Sequence, residues 1–265
     1  MQPFPLFAGL RLLRVGLHLL YGALQVALLF PLANTAQRQG LKSTWSQQLL
    51  TLLGIRLDFD LTDKIRTGSS LVIANHISFI DIFVINALLP CGFVAKSDVA
   101  QWPLIGWLSR HTDTVFIERG SRKAAHSTQQ QMVAALDAGH RLAIFPEGTT
   151  TAGDRLLPFH GALFQSAIDA AVPVHALALS YRGRGGAPSI APAYIDEISL
   201  LACLITVLNS GGLTARVTLA ASFAHPLPDR RHLAHHAHQA VAAAMERASL
   251  PDPAQSLRKE AAIRR

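Results

Sequence analysis

His76 and Asp81 stand five residues apart and have the side chains for acid–base chemistry. Within one α-helix they would lie about 140° apart around the axis and could not meet. They can meet if His76 lies in a turn after a strand and Asp81 lies in the first turn of the next helix. Asp81 could then accept a hydrogen bond from one imidazole nitrogen and leave the other as a general base. Alternatively, Ser78 and Asp81 form a helix capping box and His76 is an ordinary turn residue.

A second candidate segment, FPEGTT at 145–150, follows a continuous apolar run. If that run and the run before His76 are parallel strands, Glu147, Gly148 and Thr149 lie at the same sheet edge as His76. Ligands of open α/β sheets bind at that edge, outside the carboxyl ends of the strands. Taken alone, the segment also fits a plain turn.

Two basic residues, Lys96 and Arg119, each follow or end a predicted strand. A guanidinium or ammonium in that position can bind a phosphate or a carboxylate. Each is also compatible with a solvated cation at the end of a strand. The sequence therefore predicts an anion-binding edge only if these residues gather beside His76.

The elements that must position these residues alternate along the chain. Predicted strands cover 55–61, 71–75, 92–96, 114–118, 142–145, 174–181 and 215–223. Predicted helices cover 78–89, 121–138, 161–170, 196–209 and 230–247. This alternation predicts an α/β layered sandwich with a mixed, largely parallel central sheet flanked by helices. The apolar runs at 71–74 and 142–145 are typical of buried central strands.

Three motifs occur in a fixed order: NHxSxxD at 75–81, FIxR at 116–119 and FPEGT at 145–149. Together, behind an amphipathic N-terminus, they resemble the glycerolipid acyltransferase family that includes bacterial 1-acyl-glycerol-3-phosphate acyltransferase. The resemblance implies a membrane-associated O-acyltransferase that moves a fatty acyl group from an acyl thioester to the free hydroxyl of a lyso-phospholipid. The leading acceptor is 1-acyl-glycerol-3-phosphate. Lyso-ornithine lipid or another lyso-lipid is the first alternative, and a non-catalytic lipid-binding protein is the second.

The resemblance also implies a role for each matched residue. His76 corresponds to the general base and Asp81 to its orienting carboxylate. Arg119 corresponds to the arginine that contacts the acceptor phosphate, with Lys96 nearby. Substrate-binding or structural positions of the third motif correspond to Glu147, Gly148 and Thr149. The expected donor is acyl-CoA or acyl carrier protein, and the expected reaction needs no cofactor and no metal.

Two positions depart from the family pattern. Thr150 stands where lysophosphatidate enzymes often have arginine, and His160 stands where lysine is common. The EGTT variant and the block at 194–196 resemble the branch that acylates lyso-ornithine lipids. They leave the acceptor open without changing the reaction class.

Charge and hydropathy favour a membrane surface as the anionic partner. The net charge is +7, and residues 1–66 contribute seven Lys or Arg against three Asp, around apolar sequence without interleaved aromatics. Nucleic-acid binding is therefore not expected. Residues 15–37 contain no Asp, Glu, Lys or Arg. They fit a transmembrane span, a helix within one leaflet or a cleaved signal peptide.

The residues at 45–57 have the spacing of an amphipathic helix, which fits an interfacial anchor or a helix packed on the core. We expect membrane-associating helices at 1–54, an acyltransferase domain at 55–250 and a basic tail at 251–265. The expected location is the cytoplasmic face of the bacterial inner membrane.

Two groups of reactive side chains are set aside. Cys91 and Cys203 are expected to be buried residues, not nucleophiles or disulfide partners. The histidines of residues 232–238 could share a metal ion, but a solvated helix is the simpler interpretation because no acidic or cysteine ligand accompanies them.

Overall fold

The computed structural model describes residues 5–117 and 122–249. The strands are β1 (Ile55–Asp60), β2 (Ser70–Ala74), β3 (Gly92–Lys96), β4 (Val115–Ile117), β5 (Arg141–Ile144), β6 (Val174–Gly183) and β7 (Leu213–Phe223). The α-helices are α1 (Pro5–Leu28), α2 (Thr35–Leu52), α3 (Ile80–Leu88), α4 (Ile105–His111), α5 (Arg122–Asp137), α6 (Gln165–Asp169), α7 (Leu200–Asn209) and α8 (Arg230–Ser249). Short 3₁₀ helices cover Phe30–Leu32, Asp63–Arg66, Ser97–Gln101 and Gly161–Phe164.

The strands form one seven-stranded sheet in the order β1-β7-β6-β2-β5-β3-β4. The five strands from β6 to β4 are parallel, whereas β7 is antiparallel to β6 and parallel to β1. The prediction of a mixed, largely parallel sheet is therefore confirmed. The carboxyl ends of β2, β5 and β3 lie side by side, which brings the three segments that follow them to one edge.

Both faces of the sheet are covered by helices, as the apolar sequence of β2 predicts. Val72 and Ala74 pack on the side that carries α1, α2, α3 and α7. Leu71 and Ile73 pack on the side of α5, α6 and α8. All four residues are fully buried. Successive side chains of a strand point to opposite faces, so a strand with two buried faces must be apolar throughout.

The helix predicted at 45–57 is longer and differently placed. It begins at Thr35, because Asn34 accepts the backbone N–H of Gln37 and the Gln37 side chain accepts the backbone N–H of Asn34. The Trp45 ring stacks on the His18 ring of α1, with 4.8 Å between their centroids, and makes an edge contact with the Phe83 ring. Of the two alternatives, the helix packed on the core is therefore confirmed for Trp45.

A later helix starts elsewhere than predicted, and one helix is new. The helix expected at 196–209 begins at Leu200, because Ser199 caps it and Asp196 adopts a left-handed backbone with φ of 57°. The short helix α4 was not predicted. Gly106 lies in its first turn, where an added Cβ would be 2.3 Å from the Ala100 carbonyl oxygen.

Candidate active site

His76 and Asp81 meet between the end of β2 and the first turn of α3. The sheet ladder stops at Ala74 and α3 begins at Ile80, so His76 lies in the connecting turn. His76 Nδ1 lies 2.9 Å from Asp81 Oδ2. The predicted contact between the two side chains is confirmed. The imidazole is 19% exposed and the carboxylate is fully buried.

The Asp81 carboxylate receives donors from four groups. Its Oδ2 accepts the backbone N–H of Ile77 at 2.7 Å and of Ser78 at 2.9 Å, besides the His76 ring. Its Oδ1 accepts the hydroxyl of Tyr181 at 2.7 Å. Asp81 therefore caps backbone N–H groups and orients His76 at the same time, so both interpretations of the sequence hold in part.

This arrangement assigns the tautomer of His76. A carboxylate oxygen can only accept, so Nδ1 must carry a proton. In the neutral imidazole the lone pair then resides on Nε2. The neutral form is therefore prepared to take a proton at Nε2.

Asn75 fixes the backbone that leads into this turn. Its side-chain amide donates to the Leu179 carbonyl at 3.0 Å, and its Oδ1 accepts the Leu179 N–H at 2.7 Å. The side chain is fully buried. Asn75 thereby continues the hydrogen bonding between β2 and β6 after the backbone ladder has ended, which allows His76 to leave the sheet at a fixed position.

The loop after β5 holds the backbone of His76 from both sides. The Glu147 carboxylate accepts the N–H of His76 at 2.8 Å and the N–H of Leu157 at 2.9 Å. Thr151 donates its N–H to the His76 carbonyl at 2.9 Å. Glu147 is 4% exposed, and burial raises the pKa of its carboxyl above the ordinary value. The two N–H donors oppose that rise.

Phe145, the first residue of this loop, supports the imidazole of His76. The two rings stack with 3.9 Å between centroids and 8° between planes. Phe93 stacks behind Phe145 at 6.1 Å. The ring plane of His76 is therefore fixed by stacking, and its rotation is fixed by Asp81.

Comparison with known proteins agrees with this architecture. A family model described as Acyltransferase matches residues 56–180. The lyso-ornithine lipid O-acyltransferase of Pseudomonas aeruginosa is 37% identical over 215 residues, which cover 80% of each chain. The chain belongs to the acyltransferase family.

Two further relatives extend the comparison. The 1-acyl-sn-glycerol-3-phosphate acyltransferase of Neisseria meningitidis is 38% identical to this acyltransferase over 169 residues, or 64% of this chain and 66% of the relative. The crystal structure of the LPA acyltransferase PlsC from Thermotoga maritima has the same fold, with a TM-score of 0.64 and 18% identity. That match covers 91% of this chain and 99% of the PlsC chain.

The remaining predicted site residues of the acyltransferase occupy the same edge where they are described. Gly148 and Thr149 are exposed beside Glu147, and Gly148 has a φ of 72° that suits glycine. Lys96 is exposed at the end of β3. Its β4 partner in the ladder is Ile117, two residues before Arg119. Arg119 itself lies outside the described residues, as does the predicted tail at 251–265.

The two departures from the family pattern have distinct surroundings. Thr150 donates its hydroxyl to the Tyr194 carbonyl. Tyr194 donates its N–H to the Ile77 carbonyl at 2.9 Å and meets the ring of Phe79 edge-on. His160 lies beside the turn at Gly148, and its ring would be 3.5 Å from a Cβ added to Gly148. Thr150 thus ties the FPEGTT loop to the 194–196 block beside the His76 turn.

Both cysteines are buried, and Cys203 interacts with Ser78 in the turn that carries His76. Burial raises the pKa of the Cys91 thiol to about 12 and raises the pKa of the Cys203 thiol as well. On α8, His232 pairs with Asp229, and His238 packs on Phe159. Within residues 5–117 and 122–249, no three His, Cys, Asp or Glu side chains gather closely enough to hold a metal ion.

Proposed function

We propose that this acyltransferase transfers a fatty acyl group from an acyl thioester to the free hydroxyl of a lyso-lipid, with His76 as the general base. The observation that carries the proposal is the hydrogen bond from His76 Nδ1 to the buried Asp81 carboxylate, which assigns the basic lone pair to Nε2. Direct transfer between two substrates needs a positioned base and no nucleophile from the protein.

The reaction follows from that arrangement. His76 Nε2 takes the proton of the acceptor hydroxyl while the hydroxyl oxygen attacks the carbonyl carbon of the thioester. The new C–O bond forms and the C–S bond breaks. The imidazolium then returns its proton to the leaving thiolate. Asp81 stabilises the imidazolium in between, and its burial strengthens that interaction.

The leading acceptor is 1-acyl-glycerol-3-phosphate. Lys96 lies two strands from β2 in the order β2-β5-β3, at the same sheet edge as His76. Adjacent strands are about 4.8 Å apart, so the backbones of Lys96 and His76 are separated by roughly 10 Å, which the lysine side chain and a glycerol phosphate can bridge together. Arg119 would supply the second cation, as its motif implies.

Lyso-ornithine lipid is the second candidate, and two observations favour it. The Pseudomonas aeruginosa relative named for that acceptor matches over 215 residues, and the Neisseria meningitidis relative matches over 169. Thr150 also occupies the position at which lysophosphatidate enzymes often carry a cation. Its hydroxyl donates to the Tyr194 carbonyl. A headgroup with one carboxylate needs fewer cations than a phosphate monoester.

The lipid acceptor is reached from a membrane surface formed by α1. Residues Gly9–Leu32 are long and apolar enough to cross a bilayer by length and composition. One face of this helix exposes large apolar side chains: Leu10, Leu13, Leu17, Leu20, Tyr21, Leu24 and Leu28. Its opposite face packs on the protein through Val15 and His18.

These contacts favour a helix embedded in one leaflet. Val15 belongs to the same core as the strands, which argues against removal as a signal peptide. The neighbouring α2 exposes Gln47, Gln48 and Thr51. Drawing those polar groups into hydrocarbon would be costly, so a full span of the packed α1–α2 pair is disfavoured. Acyl-CoA and acyl carrier protein are cytoplasmic, so the proposed surface is the cytoplasmic leaflet.

Membrane binding is tested by charge on the apolar face of α1. The double variant Leu17→Glu/Leu24→Glu is expected to lose co-flotation with anionic vesicles while remaining folded. The matched control Gln48→Glu/Thr51→Glu adds the same charge on the exposed face of α2 and should still float. Equal flotation of both variants would place the membrane surface elsewhere.

The reaction is tested by offering purified protein 1-acyl-glycerol-3-phosphate, lyso-ornithine lipid and other lyso-lipids. Each acceptor is paired with labelled acyl-CoA and with labelled acyl carrier protein. A labelled diacyl product with one of these acceptors supports the proposal and identifies acceptor and donor together. Absence of product with every pair, from folded protein in vesicles, favours the non-catalytic lipid-binding alternative.

A further inference from the structure

A buried tyrosine contacts the far side of the Asp81 carboxylate. Tyr181 is the eighth residue of β6 and is 3% exposed. Its hydroxyl lies 2.7 Å from Asp81 Oδ1, although the two residues are 100 positions apart. Tyr181 is outside all three motifs that contain the predicted site residues.

The two carboxylate oxygens of Asp81 accept hydrogen bonds from different donors. Oδ2 accepts His76 and two backbone N–H groups, whereas Oδ1 accepts Tyr181. Burial and the neighbouring Asp81 raise the pKa of Tyr181 well above its ordinary value, so the hydroxyl remains a donor. A fully buried carboxylate oxygen that loses such a donor bears an uncompensated charge.

The strand β6 is well suited to hold this donor. The backbone of Leu179 makes both hydrogen bonds to the Asn75 side chain. Tyr181 follows two residues later on the same face of the strand. One strand therefore fixes both the backbone before His76 and the carboxylate beside it. Leu179 and Tyr181 pair with Val217 and Ala215 of β7, so both contacts are made from a regular strand.

We propose that Tyr181 is a positioning residue that holds the Asp81 carboxylate in register with His76 and moderates its charge during acyl transfer. The inference rests on the proposed function, because it requires His76 to act as the base. Tyr181 touches neither substrate in this arrangement and acts through Asp81.

The test is the conservative variant Tyr181→Phe, which keeps the ring and removes the hydroxyl. We expect kcat to fall about tenfold, in line with loss of a buried hydrogen bond to a charge. KM values for both substrates should stay within about twofold. The acid limb of the pH–kcat profile should move upward by about 0.5 in pH, because an uncompensated Asp81 stabilises protonated His76 more strongly.

Ser222→Ala is the matched control. Ser222 bonds His175 across the β6–β7 pair at 2.7 Å, so its loss removes a polar contact from the other end of the same strand pair. This control should lower the unfolding temperature without moving the pH profile. If Tyr181→Phe behaves in the same way, its role is structural only and the proposal is wrong.

A double-mutant cycle with Asp81→Asn supplies the second readout. If Tyr181 acts through Asp81, Tyr181→Phe should cost less than about twofold in the Asp81→Asn background. A full tenfold loss in that background would overturn the proposal. The variant His76→Ala distinguishes failure of the proposed function from failure of the inference about Tyr181. An active His76→Ala protein would refute His76 as the general base. An inactive His76→Ala protein together with an unaltered pH profile for Tyr181→Phe would refute only the role of Tyr181.

Discussion

The Glu147 carboxylate accepts the peptide N–H of His76 over 2.8 Å, although the two residues are 71 positions apart. Its second oxygen accepts the N–H of Leu157. The glutamate of the FPEGTT loop thus joins the turn after β2 to the chain that follows β5. Direct contact between Glu147 and a substrate stays a prediction, whereas its hydrogen bond to the His76 backbone is observed.

Replacement of Glu147 by Gln should therefore impair both stability and activity. An amide has one acceptor oxygen, so one of the two backbone N–H groups would face an NH₂ donor. An unsatisfied buried donor costs about 1–3 kcal/mol. Denaturant unfolding of Glu147→Gln should show a loss of that size together with a lower kcat. Wild-type stability and turnover would contradict the positioning role.

Lys96 and Arg119 are predicted to bind the anionic headgroup of the acceptor. Lys96→Ala and Arg119→Ala should each raise the acceptor KM about tenfold or more and leave the donor KM unchanged. Arg56→Ala provides the control, because Arg56 is exposed on the opposite edge strand β1. Initial rates over a range of acceptor concentrations measure the effect. An unchanged acceptor KM would place the residue concerned outside the acceptor site.

Much of the sheet was predictable because its signals are local. The runs at 71–74 and 142–145 are apolar at every position, and all eight residues but Phe145 are buried. Two buried faces leave no room for polar alternation. The parallel pairing of β2 with β5, and with it the meeting of His76 and Glu147, could be stated only conditionally, because strand pairing is a long-range property.

The parts that the sequence left open or did not reveal depend on contacts between distant segments. Trp45 has the sequence pattern of an interfacial anchor, yet His18 and Phe83 cover its ring. No local pattern reveals Tyr181, because its partner Asp81 is reached only through the sheet. The capping pair Asn34 and Gln37 was a local signal that could have revealed the true start of α2.

The α1–α2 interface makes a prediction about two glycines of α1. A Cβ on Gly22 would lie 2.4 Å from Trp45 Nε1, and no heavy atom outside the helix lies within 4 Å of a Cβ on Gly16. Gly22→Ala should destabilise the protein by about 1–3 kcal/mol. Gly16→Ala should be neutral or up to about 1 kcal/mol more stable, since alanine favours helix. Equal unfolding free energies for the two variants would contradict the packing of Trp45.

The stability of the fold should fall in mild acid because of His175. Burial lowers the pKa of this imidazole from 6.5 to about 4, and the charge of Arg141 contributes. The unfolded chain binds the proton first, so stability is full above pH 6.5 and is lost as the pH falls towards 4. The expected loss is about 2 kcal/mol between pH 7 and pH 5. His175→Gln should flatten this dependence in denaturant titrations, and an unchanged slope would contradict it.

Acyl transfer by His76→Ala is the most direct test of the account. The assay uses purified protein in vesicles with an acceptor accepted by the wild type, and thermal unfolding confirms that the variant is folded. Loss of the general base predicts a decrease in kcat of at least about 100-fold. A folded His76→Ala protein that keeps its rate within about threefold of the wild type would show that the imidazole held by Asp81 is not the base.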